Sequence, residues 1–229
     1  MQGSFIGKGN RLLQRAMLVG ILLDLAFIAM SLLLYPSLLG RESVSTVIAP
    51  IVLLLLYASV GIVLTRRVSQ VVTTTLRQGT AFGLMVGVLF LVDISVEDFI
   101  DLERQASALA TLGFMALIFL LFGCAGFYGT QKTGKVRFGM LTSVWCAMIS
   151  VVIVVIFGFA INFFFTQRLE YILASDYASS GIADPRAFTF YNTLDSASSH
   201  LLEAPILAAV FGTIGGFLGK GWMWFRASR

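Results

Sequence analysis

An all-α, polytopic membrane bundle is predicted, with six transmembrane helices, both termini cytoplasmic and a short helical cap on the outer face. Three observations carry this expectation. The 229 residues are 58% hydrophobic and only 12% charged, whereas a soluble domain is about 45–50% apolar and about 25% charged. Apolar runs of near-spanning length recur six times along the chain. Basic residues gather in alternate connections between those runs, and acidic residues in the others.

The first span covers residues 16–35, AMLVGILLDLAFIAMSLLLY. Its apolar stretch is about twice the core of a signal peptide, and no small-x-small cleavage site follows, so it is expected to remain as a helix. The second span is 45–65, with Pro50 near its start. The third is 80–99, the fourth 106–128 and the fifth about 138–165, ending NFFF. The sixth, APILAAVFGTIGGFLG at 204–219, is the shortest. A hydrocarbon core takes about 20 helical residues, so this span borrows from the LLE before it and the WMWF after it. Residues 1–229 thus read as one transmembrane domain, with an outer helical segment at 166–203.

Orientation follows from charge. Lys8, Arg11 and Arg15 precede the first span. Arg66, Arg67 and Arg77 lie before the third, Lys132, Lys135 and Arg137 before the fifth, and Lys220, Arg226 and Arg229 after the sixth. These make 12 of the 16 Lys and Arg, and no acid accompanies them. The positive-inside rule puts that side in the cytoplasm. Trp222 and Trp224 then anchor the last span in the headgroup zone. Compact loops and the lack of an Asn-x-Ser/Thr sequon point to a prokaryotic inner membrane.

The net charge of +4 does not indicate nucleic-acid binding, because the cations form short clusters without a basic face. Cys124 and Cys146 lie inside apolar runs and read as small buried hydrophobes. The expected partners are the lipid bilayer and other membrane helices, in a homo-oligomer or a hetero-complex. No metal or other cofactor is expected.

The stretch FLVDISVEDFIDLERQ, residues 90–105, closes the third span with Asp93, Glu97, Asp98, Asp101 and Glu103. Asp93, Glu97 and Asp101 recur at helical spacing on one face. If the helix starts near Thr80, Glu97 is about 25 Å along it and Asp93 about 20 Å, still within the membrane core. Asp93 is therefore a candidate for a proton or cation site, while the later acids form a solvated outer flank with Arg104 as a local partner. Asp24 is the stronger candidate. It lies about 12 Å into the first span, and a carboxylate there costs several kcal/mol unless protonated or paired. The alternative for Asp24 is polar packing against a neighbouring helix.

The outer segment divides at Gly181. RLEYILASDYASSG forms a short amphipathic helix with Leu169, Ile172 and Leu173 on one side. Asp184 and Pro185 then start a second helix as N-cap and N1. Its Phe188, Tyr191, Leu194 and Leu201 are assigned to the membrane surface or to the other helices. His200 is the single histidine. It can meet Glu203 three residues on, and together with Glu97 and Asp101 they are candidates for an outer-face site. Ser196, Ser199 and Asp195 are close in sequence, but so tight a cluster on one helix does not form a Ser-His-Asp triad. One His and one Glu leave a zinc ion short of ligands.

GTQKTGK at 129–135 matches a phosphate-loop pattern only superficially. Val136 stands where Ser or Thr is needed, and no strand precedes it. Gly83-x-x-x-Gly87 and Gly212-x-x-x-Gly216 let helices approach closely, either within one bundle or, for the sixth span, between two copies. AFGLMVG and VFGTIGG hint at inverted repeats, although Phe-Gly pairs are common throughout the chain.

Three function classes remain. The first is a structural or accessory subunit that binds a membrane partner, favoured by the scarcity of intramembrane polar groups. The second is a small oligomeric transporter or channel using Asp24 and Asp93. The third, the remotest, is an outer-interface enzyme around His200.

Overall fold

A computed structural model describes residues 2–40, 44–66 and 69–228. Arg41, Arg67 and Arg229 of the charge pattern fall outside the described residues, as do the side chains of Lys8 and Arg104. The elements are α1 (Gln2–Leu34), a 3-10 turn (Pro36–Leu39), α2 (Val44–Arg66), α3 (Gln70–Phe99) and α4 (Arg104–Thr133). They continue with α5 (Val136–Phe164), the short α6 (Thr166–Ile172) and α7 (Ala174–Ser180), and α8 (Pro185–Ala227). No strand occurs among the described residues. Six of the helices (α1 to α5 and α8) are long and apolar enough to cross a membrane, which marks a multi-pass membrane protein.

α5 forms the axis of the bundle. In its apolar window 61% of residues are buried, against 17–33% in the other five spans. Such a helix must be apolar all round, and α5 reads VWCAMISVVIVVIFGF. α3 lies directly on it. A Cβ on Gly79 would strike the Thr142 carbonyl, and one on Gly83 would come within 2.7 Å of the Cys146 carbonyl. Trp145 is fully buried between them, and its indole N–H donates to Thr80 Oγ1 at 2.9 Å. α1 packs on another part of α5 through Gly20 against Val152 and through Phe27 stacked on Phe159 and Phe163.

α4 and α8 meet backbone to backbone. Gly126 faces Gly212, Gly215 faces the Gly123 carbonyl, and Gly219 faces that of Phe127. Just above this seam Phe119 and Phe211 stack with ring centroids 4.6 Å apart.

Two boundaries differ from the sequence expectation. α3 begins at Gln70 rather than near Thr80, with Ser69 Oγ accepting from the Val72 N–H as N-cap. Arg77 is therefore inside the helix. Loss of apolarity marks where lipid ends, whereas the hydrogen-bonded helix continues until a cap stops it. The second difference concerns 185–203. Asp184 caps and Pro185 opens a helix as predicted, with Asp184 Oδ1 accepting from the Arg186 N–H at 2.9 Å. That helix does not end before the sixth span but runs unbroken through Pro205 to Ala227. Phe188, Leu194 and Leu201 are buried in the bundle.

Pro205, expected near a helix end, thus sits in mid-helix. Proline lacks the N–H that would bond the carbonyl one turn earlier, here that of Leu201. The Tyr57 hydroxyl of α2 donates to this carbonyl at 2.7 Å, with both residues buried. A side chain from a neighbouring helix replaces the missing backbone donor.

The short pair α6 and α7 takes the place of the single amphipathic helix predicted there. They bend at Leu173, and Gly181 ends α7 with φ of 71°. Gly134, with φ of 73°, makes the tight α4–α5 turn inside GTQKTGK, a helix hairpin and not a phosphate loop.

Candidate functional site

The last turns of α3 carry the acidic stretch into contact with four other elements. One turn separates Asp93 from Glu97, so both project from the same side, with Asp98 beside them. Opposite stand Thr111 and Met115 of α4 and Asn192, Ser196 and His200 of α8. Between them is a cavity of about 320 Å³. Val154, Gly158 and Ile161 of α5 form its back wall, and Leu169, Ile172 and Leu173 roof it.

Asp93 is the residue that this arrangement leaves unsatisfied. It is 6% exposed, it lines the cavity, and its Oδ1 has no hydrogen-bond partner among the described residues. It lies about 9 Å below the end of α3. Glu97, nearer the rim, accepts from Thr111 Oγ1 at 2.7 Å. His200 Nδ1 is 2.8 Å from the Ser196 carbonyl. A carbonyl only accepts, so Nδ1 carries the hydrogen of that bond and Nε2 stays available. The imidazole meets the Phe90 ring edge to face at 5.7 Å.

The roof is tied on two sides. Arg168 Nη2 pairs with Asp101 at 2.6 Å, and its Nε donates to the Asp98 carbonyl at 2.9 Å. This guanidinium satisfies a carbonyl in the last turn of α3, a group that otherwise lacks a helical partner. Arg186 pairs with Glu170 at 3.2 Å and links α8 to α6. The expected partner of Asp101, Arg104, has its side chain outside the described residues. The partner observed is Arg168, which tertiary packing delivers from a distant part of the chain.

The other candidates are placed as follows. Asp101 stands outside the cavity, with its side chain 84% exposed. Glu203 is exposed and does not line the cavity; among the described residues it makes no hydrogen bond or ion pair with His200. The predicted His200–Glu203 pairing fails because the imidazole turns back toward the carbonyl one turn earlier. Asp24 is fully buried in α1, and neither carboxylate oxygen has a partner among the described residues. It does not line the cavity. Gly20 lies beside Val152 and Gly87 beside Ile153, so Asp24 and Asp93 sit at similar depths along α5. Gly83 and Gly87 face α5, Gly212 faces Ser143 and Gly126, and Gly216 faces Thr130 and Val136. These glycines pack within the chain. Trp222 and Trp224 are exposed in the last turns of α8.

Several site residues were not singled out from the sequence. Asn162 is buried in α5, its amide donating to Thr193 Oγ1 at 2.7 Å and its carbonyl accepting from Thr189 Oγ1 at 3.0 Å. This clamp fixes α8 to α5 at the cavity wall. The available signal was an amide within an apolar run, where such groups bond across helices. Asn192, Ser196 and His200 were also legible as one face at spacings of four.

Chemically, the arrangement suits binding. Ser196 offers His200 its carbonyl, not its hydroxyl, so no activated nucleophile results. Among the described residues no three His, Cys, Asp or Glu side chains converge as metal ligands. No protein-family model matches this sequence, and neither a curated protein nor a solved structure matches it.

Proposed function

We propose that this chain is a multi-pass membrane protein that binds a small, positively charged solute in the cavity beside Asp93 and passes it across the membrane. The basic connections face the cytoplasm with both termini, and the acidic end opens to the outer face, with α6 and α7 as its cap. The observation that carries this reading is the Asp93 carboxylate: buried, with an Oδ1 that has no hydrogen-bond partner among the described residues, and lining a space large enough for a ligand. A buried carboxylate is tolerated where a cation or hydrogen-bond donor completes it. Ligand sites are mostly apolar cavities of about 300–1,000 Å³ with a few convergent polar groups, and this cavity fits that description. Asp24, the stronger candidate by sequence, ranks below Asp93 because it does not line this cavity.

The test is calorimetric titration of the purified protein with a panel of mono- and polyamines. Saturable binding that disappears in Asp93→Asn supports the reading. Unchanged binding in that variant, or no binding by the wild type, removes it.

A second reading is the accessory subunit. An apolar groove of about 430 Å³ between the lower halves of α4 and α8 favours it, lined by Phe119, Leu120, Cys124, Phe211, Ile214 and Leu218. Native mass spectrometry of gently extracted protein decides: a stable complex with other chains supports this reading, and a monomer or homodimer alone rejects it.

A further inference from the structure

We infer that the ligand is an amphiphilic organic cation, an ammonium group on an apolar body, which reaches the cavity sideways from the bilayer between α4 and α8. The inference rests on the cavity-binding reading and deepens it.

The lining selects the ligand class. Of the three carboxylates on the cavity, Asp93, Glu97 and Asp98, Asp93 is the buried one whose Oδ1 has no hydrogen-bond partner among the described residues, which calls for a cationic group there, whereas Glu97 accepts from Thr111. The rest of the wall is largely aliphatic: Ile94, Met115, Val154, Ile161 and Ile172. A metal ion suits it poorly, since hard cations such as Ca²⁺ take about 6–8 oxygen ligands and no three His, Cys, Asp or Glu side chains among the described residues are grouped closely enough to hold one. A strongly hydrated polyamine would leave the aliphatic wall uncovered.

The geometry of α4 and α8 selects the route. Their glycine seam closes the lower half, from Gly123 to Phe127 and from Gly212 to Gly219. Towards the acidic end the cavity lies between them, lined by Met115 of α4 and by Asn192 and Ser196 of α8, and the exposure of all three marks them as the lips of a lateral opening. The axial route is roofed by α6, tied to α3 by Arg168 and to α8 by Arg186. Below the α8 lip, on the face of Asn192 and Ser196, lies the exposed carboxylate of Glu203. Gly212 packs on Ser143, and Glu203 is about 14 Å further up α8, level with the middle of α5. An exposed carboxylate at that depth, among the exposed Leu202 and Ile206, is costly when it faces only lipid. One turn below His200 and outside the cavity lining, it adds negative potential beside a lateral portal and draws an ammonium group toward that face.

The experiment uses the full chain in lipid nanodiscs, with empty nanodiscs subtracting partition. The probes are octyltrimethylammonium, tetramethylammonium and octanesulfonate. Octyltrimethylammonium is expected to bind saturably, about tenfold or more tighter than tetramethylammonium because of the buried chain, with no saturable binding of octanesulfonate. Asp93→Asn is expected to weaken octyltrimethylammonium about tenfold or more. Should that variant fail to fold, Met115→Trp, which fills the aliphatic wall, is expected to remove binding. Glu203→Gln is expected to slow association several-fold, about 3-fold or more, with affinity nearly unchanged. Tight tetramethylammonium binding would overturn the ligand class while leaving the cavity reading intact. An unchanged association rate in Glu203→Gln would overturn the route. Failure of both cations would overturn the inference together with the reading beneath it.

Discussion

Replacing Tyr57 with Phe removes one oxygen atom and nothing else, which makes it a clean probe of how α8 tolerates a mid-helix proline. The Tyr57 hydroxyl donates to the Leu201 carbonyl at 2.7 Å, with Tyr57 4% and Leu201 1% exposed. That carbonyl has no helical N–H because residue 205 is proline. Its loss leaves a buried acceptor unsatisfied, which costs about 1–3 kcal/mol in proteins generally. Hydrogen bonds between membrane helices average about 0.6 and reach about 1.7 kcal/mol. A destabilisation of about 1–2 kcal/mol is therefore expected, read by reversible SDS unfolding in mixed micelles followed by far-UV circular dichroism. The decisive arm is a double-mutant cycle with Pro205→Ala. Alanine restores the backbone donor to Leu201, so Tyr57→Phe in that background is expected to cost only about 0.5 kcal/mol or less. Equal costs in the two backgrounds would refute the account and show that Tyr57 acts through packing alone.

Three further outcomes follow from the same packing. Asp24→Leu is expected to raise stability by about 1 kcal/mol or more, since Asp24 has no hydrogen-bond partner among the described residues and a buried polar group is removed; a loss in the same SDS assay would show that Asp24 has an essential partner. Gly215→Ala places a methyl group against the Gly123 carbonyl and is expected to cost about 1–3 kcal/mol by overpacking, whereas Gly113→Ala, at an exposed site inside α4 with open space, is expected to cost nothing and to gain up to about 1 kcal/mol from helix propensity. Arg168→Ala releases α6 from α3 and is expected to speed hydrogen exchange of the Leu169–Leu173 amides about tenfold, without altering exchange in α5; uniform protection would mean that the roof is held by its apolar contacts instead.

Much of the bundle was readable in advance because lipid imposes a one-dimensional rule. A helix that crosses it must be apolar over a fixed length, so the runs around Leu22, Leu54, Val86, Leu117, Val152 and Val210 declared themselves. The N-terminus of α8 was legible too, because capping by Asp184 and Pro185 is local chemistry. The start of α3 was not, because Gln70 to Gln78 form a helix that is polar on its outer turns. The join between the outer segment and the sixth span was missed for the same reason. Ser196, Ser199 and His200 break the hydropathy pattern without breaking the hydrogen-bonded chain.

The site divides in the same way. Sequence by itself determined that the chain is an all-helical membrane protein, that Asp24 and Asp93 are anomalous there, and that glycines line α3 and α8. These are properties of residue type and spacing along one helix. Only tertiary structure decided which anomaly faces a cavity, that Arg168 and not a local cation ties down Asp101, and that Tyr57 supplies the donor missing at Pro205. Each of these depends on which helix faces which, at what register. That register is set by glycine contacts and buried polar clamps between segments far apart in the sequence, which no local pattern encodes.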